Sequence, residues 1–197
     1  MKSFIKLIVC VFVLGGCASS PMLKTAQPPD FTPDQNAAQL VIIDDTYASK
    51  KLVFQNYLDG KFIGETSGKT YFVTSVTPGK HYVVSTYNGQ VPQGKHYSVS
   101  VAENAGVTQL NFEAGKSYFL RRNVSMTPWR TAISGFHPIT LEEAQKAVNN
   151  CTYLGLNSAK KSPDMSSTKY QAAIDKYQVS IKDSPDDYQN LMNYKGE

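Results

Sequence analysis

The sequence has little of what catalysis or metal binding draws on. Cysteine and histidine occur three times each and tryptophan once in 197 residues. No Gly-x-Ser-x-Gly elbow, His-Glu-x-x-His pair or phosphate-binding Gly-rich loop occurs, so the common hydrolase, zinc-protease and nucleotide-binding signatures are missing. Charged residues make up 18% of the chain, with a formal net charge of +4. Basic residues do not cluster as a nucleic-acid face requires, so no nucleic-acid partner is expected. No apolar run is long enough to recur as spanning helices, which excludes a polytopic membrane protein. Disorder is excluded as well, because nine Phe and twelve Tyr can build a core.

What is there begins at the N-terminus. Lys2 and Lys6 precede the apolar run Leu7–Leu14. A basic start followed by 7–15 apolar residues is a secretory signal. The run closes on Leu14-Gly15-Gly16-Cys17, which resembles the lipobox of bacterial lipoproteins. That resemblance implies cleavage after residue 16 and a lipidated Cys17 carrying three acyl chains. At about 0.8 kcal/mol per buried CH₂, several chains hold a protein to a bilayer where one would not. Ala18 follows in place of the Asp that favours inner-membrane retention in such lipoproteins, so the resemblance implies the outer membrane of a diderm cell. Losing residues 1–16 removes Lys2 and Lys6 and lowers the formal charge from +4 to +2. Cys10 leaves with the signal, and one free thiol, Cys151, cannot close an internal disulfide.

Residues 17–38 read as the lipidated Cys and a Pro-rich tether. Pro21, Pro28, Pro29 and Pro33 fall here, four of the ten prolines. Twenty extended residues reach about 65–70 Å, so such a leash predicts a body standing clear of the lipid.

Residues 39–137 predict a β-sandwich. Short β-rich runs at 40–44, 52–58, 62–65, 70–76, 81–87, 97–102, 107–112 and 118–124 alternate with turn residues. Asp59-Gly60 is a hairpin signal. Five Gly-Lys pairs punctuate the runs, and Gly-Lys-His-Tyr-x-Val-Ser occurs twice, at 79–85 and 94–100. In the simpler reading Gly turns the chain, Lys is solvated and Tyr opens the buried face. The alternative is a row of lysines facing an anionic envelope polymer.

Tyr57-Leu58-Asp59-Gly60-Lys61-Phe62-Ile63-Gly64-Glu65, Val76-Thr77-Pro78-Gly79-Lys80-His81-Tyr82-Val83-Val84 and Ala114-Gly115-Lys116-Ser117-Tyr118-Phe119-Leu120-Arg121 together resemble the three-part pattern of PEGA-like domains carried by lipoproteins of unknown function. The similarity covers about residues 50–124. It implies a mainly β fold, a small antiparallel prealbumin-like sandwich, and no catalytic residues.

Residues 138–197 predict a helical extension. Thr140-Leu141-Glu142-Glu143 is a capping box, followed by Leu141, Ala144, Ala147, Val148 and Cys151 at helical spacing. Tyr170, Ala173, Ile174, Tyr177 and Ile181 form a second stripe. Ser184-Pro185-Asp186-Asp187 opens a further turn. Residues 157–167, rich in Ser, read as a mobile link.

The candidate sites are few. His81, His96 and His137 do not converge on one ion if the first two open paired strands, because those starts lie about 20 Å apart; no metal or cofactor is expected. Cys151 on an apolar stripe reads as a buried residue and not as a nucleophile. Tyr71, Tyr82, Tyr87, Tyr97 and Tyr118 read as core, with an exposed sugar-stacking row as the alternative. Trp129, in the loop after the last predicted strand, is the candidate partner contact. The sequence thus predicts a non-enzymatic outer-membrane lipoprotein serving as an envelope structural or protein-interaction module, with envelope glycan binding as the alternative.

Overall fold

A computed structural model describes residues 20–24, 28–47, 52–87, 98–101, 106–126, 130–157, 159, 162–183 and 185–197, with the backbone alone at 98–101, 124–126, 130–134 and 187. The strands are β1 (Met22–Lys24), β2 (Ala38–Asp44), β3 (Phe54–Leu58), β4 (Lys61–Thr66), β5 (Thr70–Val76), β6 (Gly79–Tyr87), β7 (Ser98–Val101), β8 (Gly106–Phe112), β9 (Ser117–Met126), β10 (Arg130–Pro138) and β11 (Thr152–Leu156). The helices are α1 (Leu141–Val148), α2 (Ser167–Asp183) and α3 (Gln189–Met192), the last preceded by a 3₁₀ turn over Pro185–Tyr188. The fold is mainly β with C-terminal helices.

Two sheets result. The larger runs β1-β11-β5-β2-β9-β10-β7 and the smaller β4-β3-β6-β8. The smaller is antiparallel throughout. The larger is mixed, which corrects the antiparallel expectation: β2 pairs β9, β5 pairs β11 and β7 pairs β10 in parallel. Parallel neighbours need long crossovers. The smaller sheet supplies one, since β3, β4, β6 and β8 all lie between β2 and β9 in the chain.

Four layers explain the residue pattern. Leu40, Ile42, Phe72, Val83, Leu110, Phe112, Tyr118 and Leu120 meet between the sheets. Val41, Ile43, Tyr71 and Phe119 point the other way, under Ala144 of α1. The run Leu40-Val41-Ile42-Ile43 is therefore apolar at every position, because both faces of β2 are covered. Tyr57, Phe62 and Val84 on the outer face of the smaller sheet are covered by Ala173 and Ile174 of α2. The stripe read from the sequence is the buried face of that helix. Thr140 caps α1 with both capping-box bonds. Asp59 (φ 49°) and Gly60 (φ 80°) form the predicted hairpin turn.

Three strands fall where none was predicted. β1 lies inside the expected tether and β11 inside the expected helical extension; they pair with each other, and β11 also pairs with β5. β10 follows the last predicted strand. Its alternation breaks at Gly135 (φ 46°), where the register with β9 shifts. Phe31 also belongs to the body, packing edge-on against Tyr71 and Phe119.

Candidate functional site

A cleft of about 640 Å³ opens beside the β1 edge of the larger sheet, lined among others by Ser20, Lys24, Tyr47, Ser67, Lys69, Thr70 and Thr152. The local sequence builds it through turn chemistry. Thr70 Oγ1 donates to Ser67 O and accepts from Ser67 N-H, closing a tight turn. Lys69 sits in that turn with φ 66°, a conformation uncommon for a residue other than Gly. Its ammonium lies 5.1 Å from the centre of the Tyr47 ring. Among the described residues, no Asp or Glu lines it.

A second groove, about 580 Å³, lies between the outer face of the smaller sheet and the start of α2. Gln55, Tyr57, Thr86, Tyr87, Asp164 and Lys169 contribute to it. Part of its wall is the segment expected to be a mobile link. That expectation fails over the described residues: Phe62 N-H donates to Asp164 Oδ1 at 2.9 Å and Met165 N-H to Gly60 O at 2.8 Å. These bonds tie the segment to the β3–β4 hairpin.

The third polar feature is sealed. Arg122 and Asp44 are both buried between the sheets, with Nε 3.4 Å from Oδ2. Arg122 Nη2 donates to Ser85 Oγ at 3.0 Å and Thr66 Oγ1 at 3.3 Å. Its guanidinium carbon lies 3.9 Å from the Phe54 ring centre and 4.9 Å from that of Phe136. Burial lowers its pKa to about 10, with Asp44 opposing; it remains a cation at neutral pH. One residue earlier, Arg121 forms a two-pronged pair with Asp45 on the α1 side, at 2.9 and 2.6 Å. Sequence reasoning passed over both pairs. The signal was the two dipeptides Asp44-Asp45 and Arg121-Arg122, each ending an apolar run.

The residues singled out from the sequence scatter. Cys17 and its lipobox, Trp129, His96 and Tyr97 lie outside the described residues. His81 sits on the smaller sheet, its Nδ1 2.5 Å from Asp59 Oδ2 and its Nε2 3.0 Å from Thr77 O. His137 sits on the larger sheet opposite Arg121. Among the described residues no three metal-ligating side chains converge. Cys151 is half-buried, and burial pushes its thiol up to about 12; a thiolate nucleophile is not available there at neutral pH.

Tyr71 and Tyr118 are buried, while Tyr82 is partly buried against the α2 contact. Tyr87 lines the second groove. Among the described residues the predicted strand tyrosines therefore form no exposed row. Gly60, Gly79 and Gly115 take positive φ in their Gly-Lys pairs, the expected turn role. The Gly68-Lys69 pair differs, because there the lysine carries the positive φ.

The fold and its clefts define a mainly β, two-sheet body with helices on both outer faces. No family model matches the chain, and no solved structure matches it. One relative is an uncharacterized protein of Haemophilus influenzae, 24% identical over 151 residues that span 73% of this chain and 79% of that one.

Proposed function

We propose that the protein is a non-enzymatic lipoprotein of the bacterial outer membrane, an envelope structural or protein-interaction module held by acyl chains on Cys17. The observation that carries this reading is the secretory signal ending in Leu14-Gly15-Gly16-Cys17 ahead of a body that buries its strand aromatics. Among the described residues no helix is long and apolar enough to cross a membrane, and a lipid on Cys17 would supply the anchor.

The test is metabolic labelling with a clickable palmitate analogue. Label in the wild type, its loss in Cys17→Ser, and outer-membrane fractionation of the wild type support the reading. An unlabelled wild type overturns it. In-cell crosslinking followed by mass spectrometry then identifies the partner.

Glycan binding is the second reading, and the groove under α2 favours it. Tyr87, Gln55 and Asp164 line it with a phenol ring, an amide and a carboxylate, the chemistry that holds a sugar. Retention on purified peptidoglycan that Gln55→Ala abolishes would move the conclusion there.

A further inference from the structure

Two described parts of the expected tether belong to the body, β1 and Phe31. Met22–Lys24 is the edge strand of the larger sheet, antiparallel to β11, and Met22 is buried in the core between the sheets. Met22 is five Cα steps from Cys17. At no more than about 3.6 Å each, those steps reach at most about 18 Å. An acylated Cys17 therefore keeps the start of β1 within about 18 Å of the lipidated residue, far short of the reach of a twenty-residue leash.

The surface at that edge has the chemistry of a headgroup contact. Lys24 and Lys69 line the cleft with the hydroxyl-bearing Ser67 and Thr152, with no acid among the described lining residues. Among the described residues neither lysine is in an ion pair. The nearby carboxylates Asp44 and Asp45 are already matched to Arg122 and Arg121. Tyr47, at the rim, is 72% exposed, and Leu23 and Leu156 on the β1–β11 ribbon are about half exposed. An exposed phenol beside lysines suits a membrane interface, where the ring sits at headgroup depth and the ammonium groups meet phosphate. Lys69 is held there in a left-handed backbone conformation, a cost that structures tolerate where position matters.

We propose that the β1 edge cleft docks on the bilayer that holds Cys17, with Lys24 and Lys69 on lipid phosphate groups and Tyr47 in the headgroup layer. The proposal rests on the lipoprotein reading above and adds an orientation to it: the β1–β11 edge faces the lipid.

The experiment uses the full chain in its own cells, with a benzophenone amino acid at position 47 or, as the distant control, at position 179 on α2, where Val179 is exposed. After irradiation, mass spectrometry reads lipid adducts at the probe and acylation at Cys17. The expected result is at least fivefold more phospholipid adduct at position 47 than at 179. Lys24→Glu with Lys69→Glu should cut the position-47 adduct at least threefold while Cys17 stays acylated. A twenty-residue Gly-Ser insertion after Ser19, which leaves β1 intact, should cut it as well. Equal adducts at the two positions, adducts to protein in place of lipid, or indifference to both changes with Cys17 acylated overturns the docking and leaves the lipoprotein reading standing. An unacylated Cys17 overturns both.

Discussion

Two Asp–Arg pairs sit one residue apart, both arginines on β9 and the aspartates at and just past the end of β2, on opposite faces of the larger sheet. Arg121 and Asp45 meet on the α1 face in short two-pronged geometry, with side chains 41% and 18% exposed. Arg122 and Asp44 meet between the sheets at 3.4 Å, both fully buried. The better geometry belongs to the pair that contributes less. Water screens the outer pair, and exposed pairs are worth about 0–1 kcal/mol. The inner pair has surrendered its hydration, so losing one member strands the other in a medium that cannot solvate it. Period-two alternation places neighbouring residues on opposite faces, and identical chemistry then acquires different energetic weight.

The largest expected effect breaks the inner pair. Arg122→Ala should lower the unfolding free energy by about 3–5 kcal/mol, measured by urea denaturation with an unchanged slope. The double change Asp44→Leu with Arg122→Met tests the reason: replacing both charges with apolar groups should restore most of that loss, since buried pairs are often matched by hydrophobic packing. A double variant as unstable as Arg122→Ala would show that the bonds to Ser85 and Thr66 matter more than the charge.

Arg121→Ala should cost no more than about 1 kcal/mol. Raising salt to 1 M, where the screening length is about 3 Å, should shrink that difference in the melts and leave the Arg122→Ala loss largely intact.

The smallest effect is a titration. Burial, then Arg121, holds the His137 pKa below its ordinary 6.5. The folded state therefore binds fewer protons than the unfolded chain. His137's contribution to stability is fully present above about 6.5 and is lost as pH falls through the lower folded value. Arg121→Ala removes one cause, so the imidazole should titrate higher by NMR, while Arg122→Met should leave it where it is.

Much of the fold was legible because local rules and burial agreed. All eight predicted strands occupy observed ones in whole or part, since each carries β-rich residues between turn signals. The α2 stripe and the Thr140 capping box were readable for the same reason. The edge strands were not. Met22-Leu23-Lys24 has no alternation to read, and only pairing with β11 makes it a strand. β11 in turn exists because β5 offers it a free edge. The candidate cleft was equally hidden: Lys69 looked like one more turn lysine, and Tyr47, Lys24 and Thr152 are brought to it from three distant stretches of chain.

By itself the sequence determined the strand and helix periodicities, the hairpin turn at Asp59-Gly60, and the scarcity of catalytic residue types. These depend on a few neighbouring residues and on which side chains tolerate water. Only the tertiary structure decided that the larger sheet mixes parallel and antiparallel strands, that Arg122 is sealed while Arg121 reaches solvent, and that the chain after Cys17 becomes a sheet edge within five residues. Each of those depends on which distant strands become neighbours. That is settled by burying both faces of β2 and satisfying its backbone, a condition that no local window of sequence contains.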